Sequence, residues 1–155
     1  MKLIFIALAV LLIGAASGAV EHVKVNNFDV SFELNKTHDN KVDTKDGING
    51  SVLIRTLDNP IEISLIKYAN NIDAAKQLKN SRAADITIDG LPAKNFLILA
   101  QGNSFYGVEY YPDLKDGKAK TYALIAIGTG LDLFTVVDFL KSLHIEVGKE
   151  IILRN

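Results

Sequence analysis

Ser51-Val52-Leu53-Ile54-Arg55-Thr56-Leu57-Asp58-Asn59-Pro60-Ile61-Glu62-Ile63-Ser64-Leu65-Ile66-Lys67-Tyr68 decides how this chain folds. Two runs rich in β-branched and aliphatic residues flank Asp58-Asn59-Pro60, which is turn chemistry. The pattern is a β-hairpin. Ile61, Ile63 and Leu65 alternate with Glu62 and Ser64, so one face of the second strand lies on a core. Strands joined by so short a turn pair antiparallel, and the rest of the chain repeats the arrangement.

Downstream, Asn70 or Asn71 can cap a short amphipathic helix over residues 72–79, with Ile72, Ala75 and Leu78 at helical spacing. Asp85-Ile86-Thr87-Ile88 is a strand and Asp89-Gly90 a tight turn. Residues 95–100 are apolar on both faces, the mark of a central strand covered on both sides. Gly102-Asn103 turns the chain into a strand over residues 105–111, and residues 121–127 form a further central strand. Gly128-Thr129-Gly130 then breaks the sheet, and Leu133, Val136, Val137, Leu140 and Leu143 fall at helical steps within residues 131–143. His144 to Val147 reads as a short extended tail.

Upstream, Phe28, Val30, Phe32 and Leu34 share one face of a strand whose other face carries Asp29, Ser31 and Glu33. Residues 35–49 are dominated by Asn, Asp, Lys and Thr and read as a long loop. The fold class is therefore α+β: a largely antiparallel sheet of about six to seven strands with two helices packed on it. No linker divides the chain, so residues 20–155 form one domain.

The first nineteen residues are of another kind. Lys2 precedes an eleven-residue apolar run, Leu3 to Ile13, and residues 14–19 are small. This is the form of a signal peptide, with Ser17 and Ala19 small enough for the −3 and −1 pockets of a signal peptidase and cleavage expected after Ala19. The competing reading is an uncleaved anchor over residues 3–20, which just reaches spanning length. Either way the protein is secreted or extracytoplasmic, and membrane contact is confined to the N-terminal segment. Removing residues 1–19 leaves 136 residues with 16 basic and 18 acidic side chains. That balance excludes the concentrated basic face expected of a nucleic-acid binder.

Cysteine and tryptophan are absent. No thiol nucleophile, thiolate metal site or lipid-carrying cysteine is available, and the exported domain must hold together by packing alone. Asn35-Lys36-Thr37 and Asn49-Gly50-Ser51 match the acceptor pattern for N-glycosylation at Asn35 and Asn49.

The order of elements resembles the Mog1/PsbP-like superfamily. Phe28-Asp29-Val30-Ser31-Phe32 is similar to its opening strand, Ile88-Asp89-Gly90-Leu91-Pro92-Ala93 to its central turn, and Leu140-Lys141-Ser142-Leu143-His144-Ile145 to its closing helix and tail. Members of that superfamily bind a small GTPase, assist a photosystem or act as chaperone-like binders. The resemblance implies a fold and a bias towards protein binding, and it carries over no functional residue.

Catalytic patterns fail on spacing. In Gly102-Asn103-Ser104-Phe105-Tyr106-Gly107 the second glycine comes one residue too late for a nucleophile elbow. Gly128-Thr129-Gly130 has Leu133 where a dinucleotide loop needs its third glycine. The acidic loop of residues 39–47 places Lys41 and Lys45 where calcium ligands are wanted. His22, His38 and His144 are scattered, and none has a carboxylate at i+4. No catalytic, cofactor or metal site is expected. Tyr106, Tyr110 and Tyr111 belong to the densest aromatic cluster and are the candidate partner-binding stripe, since exposed tyrosines are enriched at interfaces; packing on the core is the competing reading. The expected function is a non-enzymatic domain binding another protein or an envelope component. The alternatives are a small-ligand carrier or enzyme with a dispersed site, and an anchored structural protein.

Overall fold

The expected hairpin is the middle of a wide sheet. The computed structural model describes residues 20–34, 41–47, 49–56 and 59–149. Among these are β1 (Val20–Val25), β2 (Phe28–Glu33), β3 (Lys41–Lys45), β4 (Gly50–Thr56), β5 (Asn59–Asp73), α1 (Ala74–Asn80), β6 (Ala84–Ile88), β7 (Leu91–Ala100), β8 (Asn103–Tyr110), β9 (Lys118–Gly128), α2 (Leu133–Ser142) and β10 (His144–Val147). The signal peptide and its cleavage point lie outside the described residues, as does Asn35.

Every strand pairing is antiparallel. Seven strands form one sheet in the order β3-β4-β5-β9-β8-β7-β6, and β1-β2-β10 form a second. Register places apolar residues in rows across the large sheet. Ile54, Ile61, Ile127, Tyr106 and Leu97 make one row, and Val52, Ile63, Ile125, Val108 and Asn95 the next. Against these rows pack Phe28, Val30 and Phe32 of β2 with Val136, Phe139 and Leu143 on and just past α2, forming one core. The Phe32 and Phe139 rings meet at 5.6 Å between centroids. At the end of β2, the Glu33 amide donates to the Ser142 hydroxyl at 2.8 Å, which fixes α2 to the small sheet.

α1 packs against β7 and β9 and builds a second, smaller cluster from Ala74, Leu78, Tyr111 and Ala119. Two glycines of the Gly128-Thr129-Gly130 break are set by Asn59. Its carboxamide oxygen accepts the Gly130 amide at 3.1 Å, and a Cβ on Gly130 would lie 2.4 Å from its nitrogen. The bend between β9 and α2 is thus keyed to the turn side of the β4–β5 hairpin.

Several expectations change. The single sheet of six to seven strands is one sheet of seven plus a separate sheet of three, because the N-terminal hairpin pairs with the tail and stacks on the core instead of extending the large sheet. The tail is therefore strand β10. Within the expected loop of residues 35–49, residues 41–45 are a strand on the edge beside β4, with Val42 partly buried against the core. Its composition is polar because that strand has solvent on its outer side. The first helix starts later and is capped by Asp73, not Asn70 or Asn71: β9 is long enough to pair with β5 as far as Asp73, across an irregularity between Lys67 and Ile72. Tertiary pairing overrides local helix propensity there. Finally, β7 is not covered on both sides, since Leu97 and Leu99 are exposed.

Phe139 carries the contact between the two layers. Phe139→Ala removes a fully buried ring and is expected to lower the unfolding free energy by about 3–5 kcal/mol. Urea denaturation of the two proteins checks this, and a loss under about 1 kcal/mol would place the layer contact elsewhere.

Candidate functional site

The small sheet and α2 do not cover the whole inner face of the large sheet. Between α2 and the β7–β8 hairpin runs an apolar groove. Asn95, Leu97, Tyr106 and Val108 supply its sheet side, and Leu133, Val137 and Leu140 face it from α2. The helix is amphipathic with a wide apolar stripe, of which Val136 and Phe139 go to the core. Leu133, Val137 and Leu140 are left for the groove.

α2 begins at a strong cap. Asp132 accepts the Thr135 amide at 3.0 Å and the Thr135 hydroxyl at 2.6 Å. The hydroxyl bond, then the amide bond, holds the Asp132 carboxyl below its usual 3.8. This cap fixes where the first turn ends and so where Leu133 and Phe134 project.

Two of the lining residues, Leu97 and Leu133, are exposed large apolar side chains, and Leu99 and Phe134 follow them on β7 and α2. Leu97 is 49% exposed, Leu99 74%, Leu133 43% and Phe134 68%. Leu97 and Leu99 lie on one face of β7, two residues apart. The free volume inside is about 50 Å³, far under the roughly 300–1,000 Å³ of small-molecule sites, so it presents a contact surface and not a pocket. The Asn95 Oδ1 is buried at its floor and accepts no hydrogen bond. A buried acceptor left unsatisfied costs about 1–3 kcal/mol.

The tyrosines do not make an exposed stripe. Tyr110 is 1% exposed and belongs to the main core, and Tyr111 is 5% exposed and belongs to the α1 cluster. Consecutive strand residues face opposite ways, and both faces are covered at that end of β8. Only Tyr106, half-buried, touches the groove. There is no space beside Gly107, since a Cβ there would lie 2.7 Å from the Phe96 ring and 2.9 Å from Ile98. Asn49 is exposed just before β4, and its carboxamide oxygen accepts the Lys67 amide at 3.2 Å.

His144, which has no carboxylate at i+4, has one from afar. Its Nδ1 meets the Asp89 carboxylate in the β6–β7 turn, tying β10 to the large sheet. Asp89 also bears on Tyr110. Burial first, and the Asp89 charge second, push the Tyr110 phenol well above its usual 10.0. Among the described residues no cluster of three or more His, Asp or Glu could hold a metal ion.

The groove residues had partial signals in the sequence. Phe96 to Leu99 is apolar on both faces, and Phe134 lies off the helical stripe; both are surplus apolar surface for a core. Asn95 gave no signal, because its loneliness depends on what β6 and β8 place around it.

No family model matches the chain, and no curated protein matches it. Among solved structures it is similar to a protein of Bacteroides thetaiotaomicron VPI-5482, at 17% identity and a TM-score of 0.46, over 78% of this chain and 46% of that one. The chain spans under half the length of that protein, and a likeness of this degree carries no argument about fold or function.

The Tyr110 hydroxyl is buried and makes no hydrogen bond. Tyr110→Phe is therefore expected to keep or raise stability at pH 7, by up to about 2 kcal/mol. The pH dependence has a definite sign. A phenol raised in the fold stabilises fully below its unfolded value near 10.0, and that contribution is lost as pH rises above it. Asp132, lowered in the fold, acts oppositely and loses its contribution as pH falls below 3.8. Urea titrations across pH should show an alkaline fall in the native protein that is shallower in the Tyr110→Phe variant. A loss of more than about 1 kcal/mol at pH 7 would mean the hydroxyl is held by a bond.

Proposed function

We propose that this is an exported, non-enzymatic binding domain that docks an apolar segment of a partner protein on the groove between α2 and β7. The observation that carries the reading is an apolar groove whose lining includes the half-exposed Leu97 and Leu133, with the exposed Leu99 two residues along the same face of β7 and the exposed Phe134 next to Leu133 in α2. Monomeric proteins rarely leave contiguous large apolar side chains in water without a use. The groove has about 50 Å³ of free volume, too little to enclose a small-molecule substrate.

Export rests on the sequence of residues 1–19, and the proposal includes release by cleavage after Ala19. Among the described residues no helix is long and apolar enough to cross a membrane. Membership of the Mog1/PsbP-like superfamily, with its bias towards protein binding, is part of the same proposal and rests on residues 28–32, 88–93 and 140–145.

Two measurements test it. The intact mass of the protein purified from its native cells is expected to correspond to a chain starting at Val20; a retained Met1 contradicts release. Charged residues on the exposed apolar side chains that flank the groove in sequence should abolish docking without unfolding. The double variant Leu99→Asp, Phe134→Asp is expected to melt within a few degrees of the native domain, since surface changes of this kind shift stability little. Used as bait in the cell envelope, the native domain should retain a partner that the variant loses. A partner retained equally by both sinks the groove reading.

A further inference from the structure

On the opposite side of the large sheet lies a second concavity, and it is a pocket. It measures about 430 Å³, within the range of small-molecule sites. Leu78 of α1, Pro92 of β7 and Leu114 line it with apolar surface, and Lys79, Asp85 and Lys94 bring charge. Its frame is firm. The Asp113 carboxylate accepts the Thr121 amide at 2.9 Å and the Thr121 hydroxyl at 3.1 Å, which pins the loop bearing Leu114 to β9. The Ala75 amide donates to the Gly117 carbonyl at 3.1 Å, which pins α1 to the same loop.

Lys94 is the one charged side chain buried among the described residues. Its side chain is 11% exposed, whereas that of its ion-pair partner Asp85 is 81% exposed. A buried ammonium needs a counter-charge. Here that charge comes from the solvent side, on the edge strand β6, where a carboxylate can swing away at little cost. Glu109, the register neighbour of Lys94 on β8, does not line the pocket, and its carboxylate accepts the Tyr122 hydroxyl at 3.0 Å. The pocket therefore offers two ammonium groups, one solvent-exposed resident carboxylate, and an apolar chamber.

We infer that this pocket binds a medium-chain monocarboxylate, its head group replacing Asp85 at Lys94 with support from Lys79, and its chain lying between Leu78, Pro92 and Leu114. The site is separate from the α2 groove and does not depend on it. The match of charge selects the head group: an anion completes the Lys94 pair, while an alcohol or an amine of the same chain length does not.

The test uses the mature domain, residues 20–155, and sodium decanoate below its micelle-forming concentration, with binding followed by calorimetry and by thermal shift. Decanoate should bind at one site and raise the melting temperature, with decanol and decylamine at least about tenfold weaker. Lys94→Met, which keeps the aliphatic stem, should weaken decanoate at least about tenfold. Asp85→Asn removes the resident competitor and should tighten binding, a result that simple damage to the pocket would not give. The Leu99→Asp, Phe134→Asp variant should bind decanoate as the native domain does. The inference is overturned by equal binding of decanoate and decanol, by unchanged binding in a folded Lys94→Met protein, or by weaker binding in Asp85→Asn. Should Lys94→Met fail to fold, the Asp85→Asn result and the decanol comparison decide alone.

Discussion

The structure depends on how the inner face of one antiparallel sheet is kept from water. Rows of Ile, Val and Leu across β4, β5, β9 and β8 need a cover, and the chain provides a narrow one: the β1-β2-β10 sheet with α2 beside it. Phe32 and Phe139 join the two parts of that cover and seat it on the sheet. Without cysteine, no covalent tie helps. At roughly 1.5–3 kcal/mol for each large apolar side chain buried, this one contact area is the main favourable term the domain has.

A cover of that width has consequences at its edges. It protects the sheet from β4 through β9 and part of β8, and it stops at α2. Beyond it, Leu97 and Leu99 on β7 remain exposed, and Leu97 shares the groove with Leu133 of the helix that ends the cover. The groove is thus a direct product of a seven-stranded sheet under a smaller layer. On the other face, α1 is only seven residues long and covers one corner, and the pocket beside Lys94 lies where that short helix ends. The two concavities differ as their linings do: one is small and apolar with a single lone acceptor, the other larger with a buried cation.

Much of the fold could be read in the residues, because period-two alternation and turn chemistry are local. The β4–β5 hairpin, the antiparallel order, α2 and the role of Gly128 and Gly130 as a break all come from such signals. What escaped depends on distant pairing. Residues 41–45 become a strand because β4 has an unpaired edge, not because their own composition asks for it. β5 runs on to Asp73 because β9 reaches that far. The site was less legible than the fold. Tyr110 and Tyr111 drew attention as aromatic residues, yet each is absorbed by the core on its own face of β8. Leu99 and Phe134 drew none, since exposure of an apolar residue is set by where its cover stops. The contacts of His144 with Asp89 and of Lys94 with Asp85 likewise needed the register of β6, β7 and β10.

The proposed docking place for a partner is the uncovered end of the sheet beside α2. Photo-crosslinking in the native cell addresses it directly. A photoreactive residue at Leu99 should give a discrete higher-mass adduct containing a second protein, while the same residue at the exposed Glu62, on the opposite face of the sheet, should give none. Equal adducts at both positions, or an adduct at Glu62 alone, would contradict the claim.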